Sequence, residues 1–210
     1  MTGPEVRSVG GTALLATFES LADVVAFRAG LAHATLPGLT EVVSGARTLL
    51  LRFDPTTTDA GRLRSELAQV TPVSATLEAH DADPLVIPVT YDGEDLDTVT
   101  ELTGMRRDEL VAWHTGQLWT SAFCGFAPGF SYLTGSARPL DLPRRSTART
   151  AVPSGAVAVA GEFSAVYPRT SPGGWQLIGR TEVPMWSLDR TPPALAPAGT
   201  LVRFVVAGAA

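Results

Sequence analysis

The sequence has little of what would place it in several large classes. It holds one cysteine, Cys124, so no disulfide forms within the chain and disulfide-framework folds are excluded. Charged residues make up 18%, below the usual quarter. Their balance is acidic, with a formal net charge of -5. That argues against nucleic acid as the main partner, because proteins that bind it display basic surface. No apolar run reaches the roughly 18 residues needed to cross a bilayer. Met1 to Gly10 carries Glu5 and Arg7 and no apolar segment, unlike a signal peptide. Both point to a soluble, cytoplasmic protein with no membrane partner. The three histidines, His33, His80 and His114, lack metal-ligand spacing, so no metal site is expected. Neither a GxxxxGK[ST] phosphate loop nor a GxSxG elbow occurs, which removes the sequence signs of an ATPase or a serine hydrolase.

What is present suffices for two small domains: 210 residues, 45% of them hydrophobic. A weakly charged surface also leaves area that a protein partner could cover. In the first 80 residues, strand and helix signals alternate. Thr12–Phe18 reads as a strand. Ser20 caps a helix over Leu21–Ala34, which Pro37-Gly38 terminates. Glu41–Val43 and Thr48–Phe53 read as a strand pair turning at Gly45. Asp59 caps a second helix with Leu63, Leu67 and Val70 on its apolar face, and Ala75–Glu78 reads as a last strand. The order β-α-β-β-α-β is the split pattern of a ferredoxin-like sandwich.

A polar linker, His80–Pro84, separates this part from one of different character. Leu85–Tyr91 reads as a strand. Leu96–Leu102 and Arg107–Thr115 read as short helices, with Asp108 as a cap for the second. Strands punctuated by Gly and Pro follow, among them Trp119–Cys124, Ala156–Val159, Gln176–Arg180 and Leu201–Val206. Many short strands with turn residues between them point to a closed barrel. The expected fold is therefore α+β in two domains, residues 1–82 and 83–210.

Three segments carry unusual chemistry. In Gly125-Phe126-Ala127-Pro128-Gly129-Phe130-Ser131-Tyr132-Leu133, proline and two glycines can shape a tight loop flanked by aromatic rings. It fits a pocket wall or a hairpin turn over core aromatics. Pro143–Gly155 holds Arg144, Arg145 and Arg149 among hydroxyl residues. Guanidinium forks suit carboxylates or phosphates, while the same run also fits a solvated loop. In Tyr167–Thr181, the turn Ser171-Pro172-Gly173-Gly174 could aim backbone amides at an anion. Gln176 and Arg180, four apart on one strand, are expected on the same face. Cys124 with a histidine could pair a nucleophile with a base, though a lone cysteine in an apolar strand is more often simply buried.

At these segments the sequence resembles the family of allophanate hydrolase subunit 1 and the 5-oxoprolinase B-type subunit, which includes a sporulation-kinase-inhibitor type and corresponds to part of a carboxyltransferase domain. Gly125–Leu133 is similar to its GFxPGFPYL motif, Pro143–Gly155 to PRRxxPRxxVPAGSV, and Tyr167–Thr181 to YPxxSPGGWQLIGRT. Ile87–Gly93 and His114 sit where the family places IPVxYGG and a histidine after a helix. The match covers most of Pro84–Phe204. The resemblance implies a ferredoxin-like domain followed by a cyclophilin-like β-barrel. It implies a partner of the allophanate hydrolase subunit 2 family (the C-type component of 5-oxoprolinase) and, with a LamB/YcsF-type third subunit, ATP-dependent opening of 5-oxoproline to glutamate. ATP would be bound by the complex rather than by this chain alone. The alternatives it implies are a regulator that inhibits a sensor histidine kinase and a carboxyltransferase or allophanate hydrolase subunit of a urea-degrading system; biotin enters only with the last. The implied catalytic residues are His114, Arg144 and Arg180. The implied substrate-binding residues are Phe126, Pro128, Gly129, Phe130, Arg145, Arg149, Ser171, Gly173, Gly174 and Gln176. The sequence departs from the motifs at Ser131, Ala148 and Ser154, and at Glu162-Phe163-Ser164-Ala165, which replaces a G-x-Q-T-G stretch.

Overall fold

The structure is a computed structural model and describes residues 3–73 and 83–208. The chain divides into two units, Met1–Glu78 and Ala79–Ala210.

In the first unit the elements run β1 (Glu5–Val9), β2 (Ala13–Thr17), α1 (Leu21–Leu31), β3 (Leu39–Ser44), β4 (Thr48–Phe53) and α2 (Ala60–Leu67). The strands form one sheet in the order β1-β2-β4-β3, every pair antiparallel. Leu14, Ala16, Leu49, Leu51 and Phe53 supply the buried face, onto which Val24 and Phe27 of α1 and Leu63 and Leu67 of α2 pack. Both expected caps are made. Ser20 Oγ accepts from the Asp23 amide at 3.2 Å, and Asp59 accepts from the amides of Gly61 and Arg62 at 2.8 and 2.9 Å. Helix α1 stops at Leu31 instead of Ala34, because Ala32, His33 and Ala34 donate three residues back and tighten its end. Strand β1, absent from the sequence reading, is mostly exposed and carries a Glu5–Arg7 pair, so it shows no apolar alternation. The expected strand Ala75–Glu78 lies outside the described residues.

The second unit runs β5 (Leu85–Val89), α3 (Leu96–Thr103), α4 (Arg107–Thr115), β6 (Trp119–Cys124), β7 (Ser131–Gly135), β8 (Arg149–Val152), β9 (Ala156–Ala160), β10 (Phe163–Val166), β11 (Ser171–Gly173), β12 (Gln176–Arg180) and β13 (Leu201–Val206). Seven strands follow the order β12-β9-β10-β7-β6-β13-β5, and a bridge between Thr90 and Arg180 joins the two ends, nearly closing a barrel. β8 and β11 form a separate ribbon. Asp108 is not the cap of α4: Arg106 holds that position, with its amide donating to Glu109 at 2.8 Å.

The sequence of β9, Ala-Val-Ala-Val-Ala, explains the layering. Successive side chains of a strand point to opposite faces. Val157 and Val159 join a cluster that also draws on Ile87, Trp119, Leu133, Val166, Ile178 and Phe204, and so fills the barrel. Ala156, Ala158 and Ala160, with Ala165 of β10, join a second cluster on the outer face. The small alanines let large rings lie close: Phe130, Tyr132, Tyr167 and Trp175 pack there. Each aromatic pair adds about 0.5–1.5 kcal/mol beyond area burial.

Candidate functional site on the outer face of the barrel

The loop between β6 and β7 brings the first set of predicted residues together. It is folded by short hydrogen bonds, Ala127 N to Gly125 O at 2.7 Å and Phe130 N to Ala127 O at 2.9 Å. Gly129 has φ +81°, and a Cβ placed on it would lie 2.8 Å from that of Trp186, so a side chain there would both strain the backbone and collide. Phe130 is buried, with ring centroids 5.2 Å from Tyr167 and 5.5 Å from Trp175. Phe126 holds φ +66°, an uncommon conformation for a side-chain-bearing residue. Its ring meets Phe130 and Tyr167 edge-on yet remains 57% exposed. Pro128 is exposed beside it.

The chain contains no lysine, so every fixed side-chain cation is an arginine. The structure sorts them. Arg145 and Arg149 converge on Asp95, a buried carboxylate at the N-terminus of α3. Arg149 binds it through both Nη atoms at 2.8 Å and also reaches Glu94 at 3.0 Å. The amide of Leu177 completes the set at 2.8 Å. Burial pulls the Asp95 carboxyl up, but hydrogen bonds from Arg149 and Leu177 and the two guanidinium charges outweigh it and hold the group below the ordinary carboxylate range. Arg180 pairs with Asp92 at 2.8 Å on the surface. These three arginines are therefore occupied internally, whereas Arg144 is exposed and has no ion pair among the described residues. Its chain neighbours Pro143 and Arg145 are bonded to Gln176 and Gly174, the residues on either side of Trp175, which places Arg144 at the edge of the aromatic shelf.

The remaining predicted residues hold this loop. Gln176 is 3% exposed and donates to the carbonyl of Pro143 at 3.1 Å, fixing the residue before Arg144; its Oε1 has no protein partner. Arg180 does not share its face, because β12 is irregular between Leu177 and Gly179 and the alternation shifts there. Ser171 and Gly173 lie in the ribbon opposite Val152 and Arg149. The carbonyl of Gly174 accepts from the Arg145 amide at 2.7 Å. A Cβ on Gly173 would meet the Tyr167 hydroxyl, so only glycine lets that ring sit under the turn.

His114 lies elsewhere, inside the barrel. It is fully buried and stacks on Phe204 at 4.3 Å. Nδ1 is 2.7 Å from the Tyr91 hydroxyl and Nε2 is 2.8 Å from Ser164 Oγ. Ser164 in turn donates to Ala158 O at 3.4 Å. One arrangement satisfies the chain: Tyr91 donates to Nδ1, Nε2–H donates to Ser164, and Ser164 donates to the carbonyl. Burial pushes the imidazole down to about 3, so it stays neutral. Ser164, in the stretch that departs from the family motif, is thus a core partner of His114, while its neighbour Phe163 joins the outer aromatic cluster. Ser164→Ala is expected to destabilise the unit by about 1–3 kcal/mol, since it strands a buried N–H; denaturant unfolding measures it.

Sequence reading missed Asp95, Tyr132 and Tyr167. A signal existed for Asp95: Asp92-Gly93-Glu94-Asp95-Leu96-Asp97 is an acid-rich run in a weakly charged chain, complementary to the arginine-rich one.

The second unit is thus a nearly closed seven-stranded barrel with an arginine loop against an outer aromatic cluster. Residues 4–196 match the family model "Carboxyltransferase domain, subdomain C and D", and the chain belongs to that family. It is 40% identical over 122 residues to the 5-oxoprolinase B-type subunit of Bacillus subtilis, covering 57% of this chain and 51% of that protein. The chain thus spans about half the length of that curated relative. The crystal structure of TTHA0988 superposes on 98% of this chain and 41% of that one, with TM-score 0.75 and 33% identity. The Kluyveromyces lactis urea amidolyase shares the fold, with TM-score 0.72 at 17% identity, over 97% of this chain and 15% of that one. No helix among the described residues is long and apolar enough to cross a membrane.

Proposed function

We propose that this chain is the small subunit of an ATP-dependent 5-oxoprolinase, acting with a C-type partner of the allophanate hydrolase subunit 2 family and a LamB/YcsF-type subunit to open 5-oxo-L-proline to glutamate. The observation that carries the reading is Arg144: the one guanidinium of the arginine loop left without an ion pair among the described residues, beside an aromatic shelf. It is supported by relatives named as B-type subunits of 5-oxoprolinase at 40% identity. In this reading Arg144 holds the substrate carboxylate, and Phe126, supported from beneath by the buried Phe130, walls the ring. Asp95, Gln176 and the Ser171–Gly174 turn hold the loop in place. ATP is handled by the assembled complex, since this chain has no GxxxxGK[ST] loop. Within the same proposal, the first unit is a ferredoxin-like sandwich and the second a cyclophilin-like barrel, meeting near residues 82 and 83. Support for the former is the helix-strand alternation on one antiparallel sheet, and for the latter the near-closed seven-stranded sheet.

The test is co-expression with the two partner types and assay of glutamate release from 5-oxo-L-proline. Release is expected only with ATP and all three components; no release above an ATP-free control overturns the proposal. Arg144→Ala is expected to lower kcat/KM of the complex about 10²–10³-fold with assembly intact, the effect of removing one charged donor from a developing or bound anion.

A further inference from the structure

We propose that Tyr132 is a further ligand-contacting residue of this site, its phenol donating a hydrogen bond to the ring carbonyl of a small cyclic amide whose carboxylate is held by Arg144. The inference rests on the reading of Arg144 given above and adds a second, neutral contact with a different chemical target.

The packing around Tyr132 fixes its ring. Phe123 stacks on it at 4.3 Å with an interplanar angle of 15°. Phe130, Phe163 and Trp175 close its edges at 5.1, 5.5 and 5.6 Å. A ring held by four aromatic neighbours cannot swing, so its hydroxyl is pre-positioned. Yet that hydroxyl makes no hydrogen bond among the described residues and is not among the sealed, unpartnered polar atoms, so it remains open to solvent. The neighbouring Tyr167 differs: it is 2% exposed, and its hydroxyl is covered by Gly173, where a Cβ would collide with it. Of the two phenols near Arg144, one is thus committed to the fold and the other is free to bind.

The chemistry of the free one suits a carbonyl. Burial raises the phenol and the Arg144 charge only partly offsets this, so Tyr132 keeps its proton at neutral pH and acts as a donor. A neutral donor and a fixed cation at one aromatic surface match a molecule with one carbonyl oxygen, one carboxylate and a flat face. Phe126, exposed and held at positive φ at the edge of the shelf, can cover that face.

The experiment uses the assembled complex without ATP. Calorimetric titration with 5-oxo-L-proline and with cyclopentanecarboxylate, which keeps ring and carboxylate but lacks the carbonyl, is run on wild type, Tyr132→Phe and Arg144→Ala. Phenylalanine preserves the packed ring, and matched melting temperatures confirm it. Tyr132→Phe is expected to weaken 5-oxo-L-proline about tenfold, the effect of one lost hydrogen bond, and to leave cyclopentanecarboxylate unchanged, while Arg144→Ala weakens both. If Tyr132→Phe binds 5-oxo-L-proline as wild type does, or loses both ligands equally, the role of Tyr132 is overturned; a loss confined to Arg144→Ala would then leave the site reading standing. Absence of binding to the wild-type complex overturns both.

Discussion

Asp95→Ala is expected to destabilise the second unit by about 3–5 kcal/mol, because it leaves buried arginine charge without its partner. The carboxylate is 2% exposed and accepts four protein hydrogen bonds, three from arginines and one from the Leu177 amide. Replacing a buried ion pair with matched apolar groups is often neutral, but removing one partner leaves the other charge buried and unpaired. Arg149, whose side chain is 15% exposed, suffers most. Removal also weakens the tie between the start of α3 and β12, leaving the backbone bond from the residue 95 amide to the Leu177 carbonyl. All four tryptophans, Trp113, Trp119, Trp175 and Trp186, lie in this unit, so tryptophan fluorescence during denaturant unfolding reports on it alone. A double-mutant cycle sharpens the result: Arg149→Ala should cost much less in the Asp95→Ala background than in wild type. Additive losses would show that the pair is not coupled.

This ion-pair cluster marks the limit of what the sequence discloses. The two caps, Ser20 and Asp59, and the apolar runs of β5, β6, β9, β12 and β13 were legible because their signals are local: a side chain accepting two or three residues on, or an alternation within five residues. The motif segments do lie against one another: the Gly174 carbonyl accepts from the Arg145 amide, Gln176 donates to the Pro143 carbonyl, and Phe130 packs on Tyr167 and Trp175. What sequence could not divide was the arginine run. Arg144, Arg145 and Arg149 look alike in a line of residues, and their roles separate only when the fold returns Asp95 from fifty positions away in the chain. Similarly, Gln176 and Arg180 part company because an irregularity in β12 breaks the two-residue period. His114 and Arg144 were grouped by motif, but the β9 and β10 strands lie between them: Ser164 and Val166 face the barrel interior, Phe163 and Ala165 the outer cluster.

The interior position of His114 leads to the second large effect, a loss of stability in mild acid. Its folded-state pKa is about 3 against an ordinary value of 6.5, with burial as the cause. The unfolded chain therefore binds a proton at pH values where the folded chain does not. Stability from this group is complete above about pH 6.5 and declines as pH falls toward 3, at about 1.4 kcal/mol per pH unit. Asp95, also depressed, adds a loss of the same sign, but only below its ordinary value of 3.8. Between pH 6.5 and 4.5 the expected decline attributable to His114 is therefore roughly 2–3 kcal/mol. His114→Phe removes the titrating ring while keeping a stack on Phe204. It costs stability at neutral pH, because the hydroxyls of Tyr91 and Ser164 lose their partner. The slope, not the intercept, is the test. Unfolding free energies from tryptophan fluorescence at half-unit pH steps should fall by about one proton's worth in wild type and by much less in His114→Phe. Equal slopes would mean that His114 takes up its proton in the folded barrel, which would require the Tyr91–His114–Ser164 chain to open.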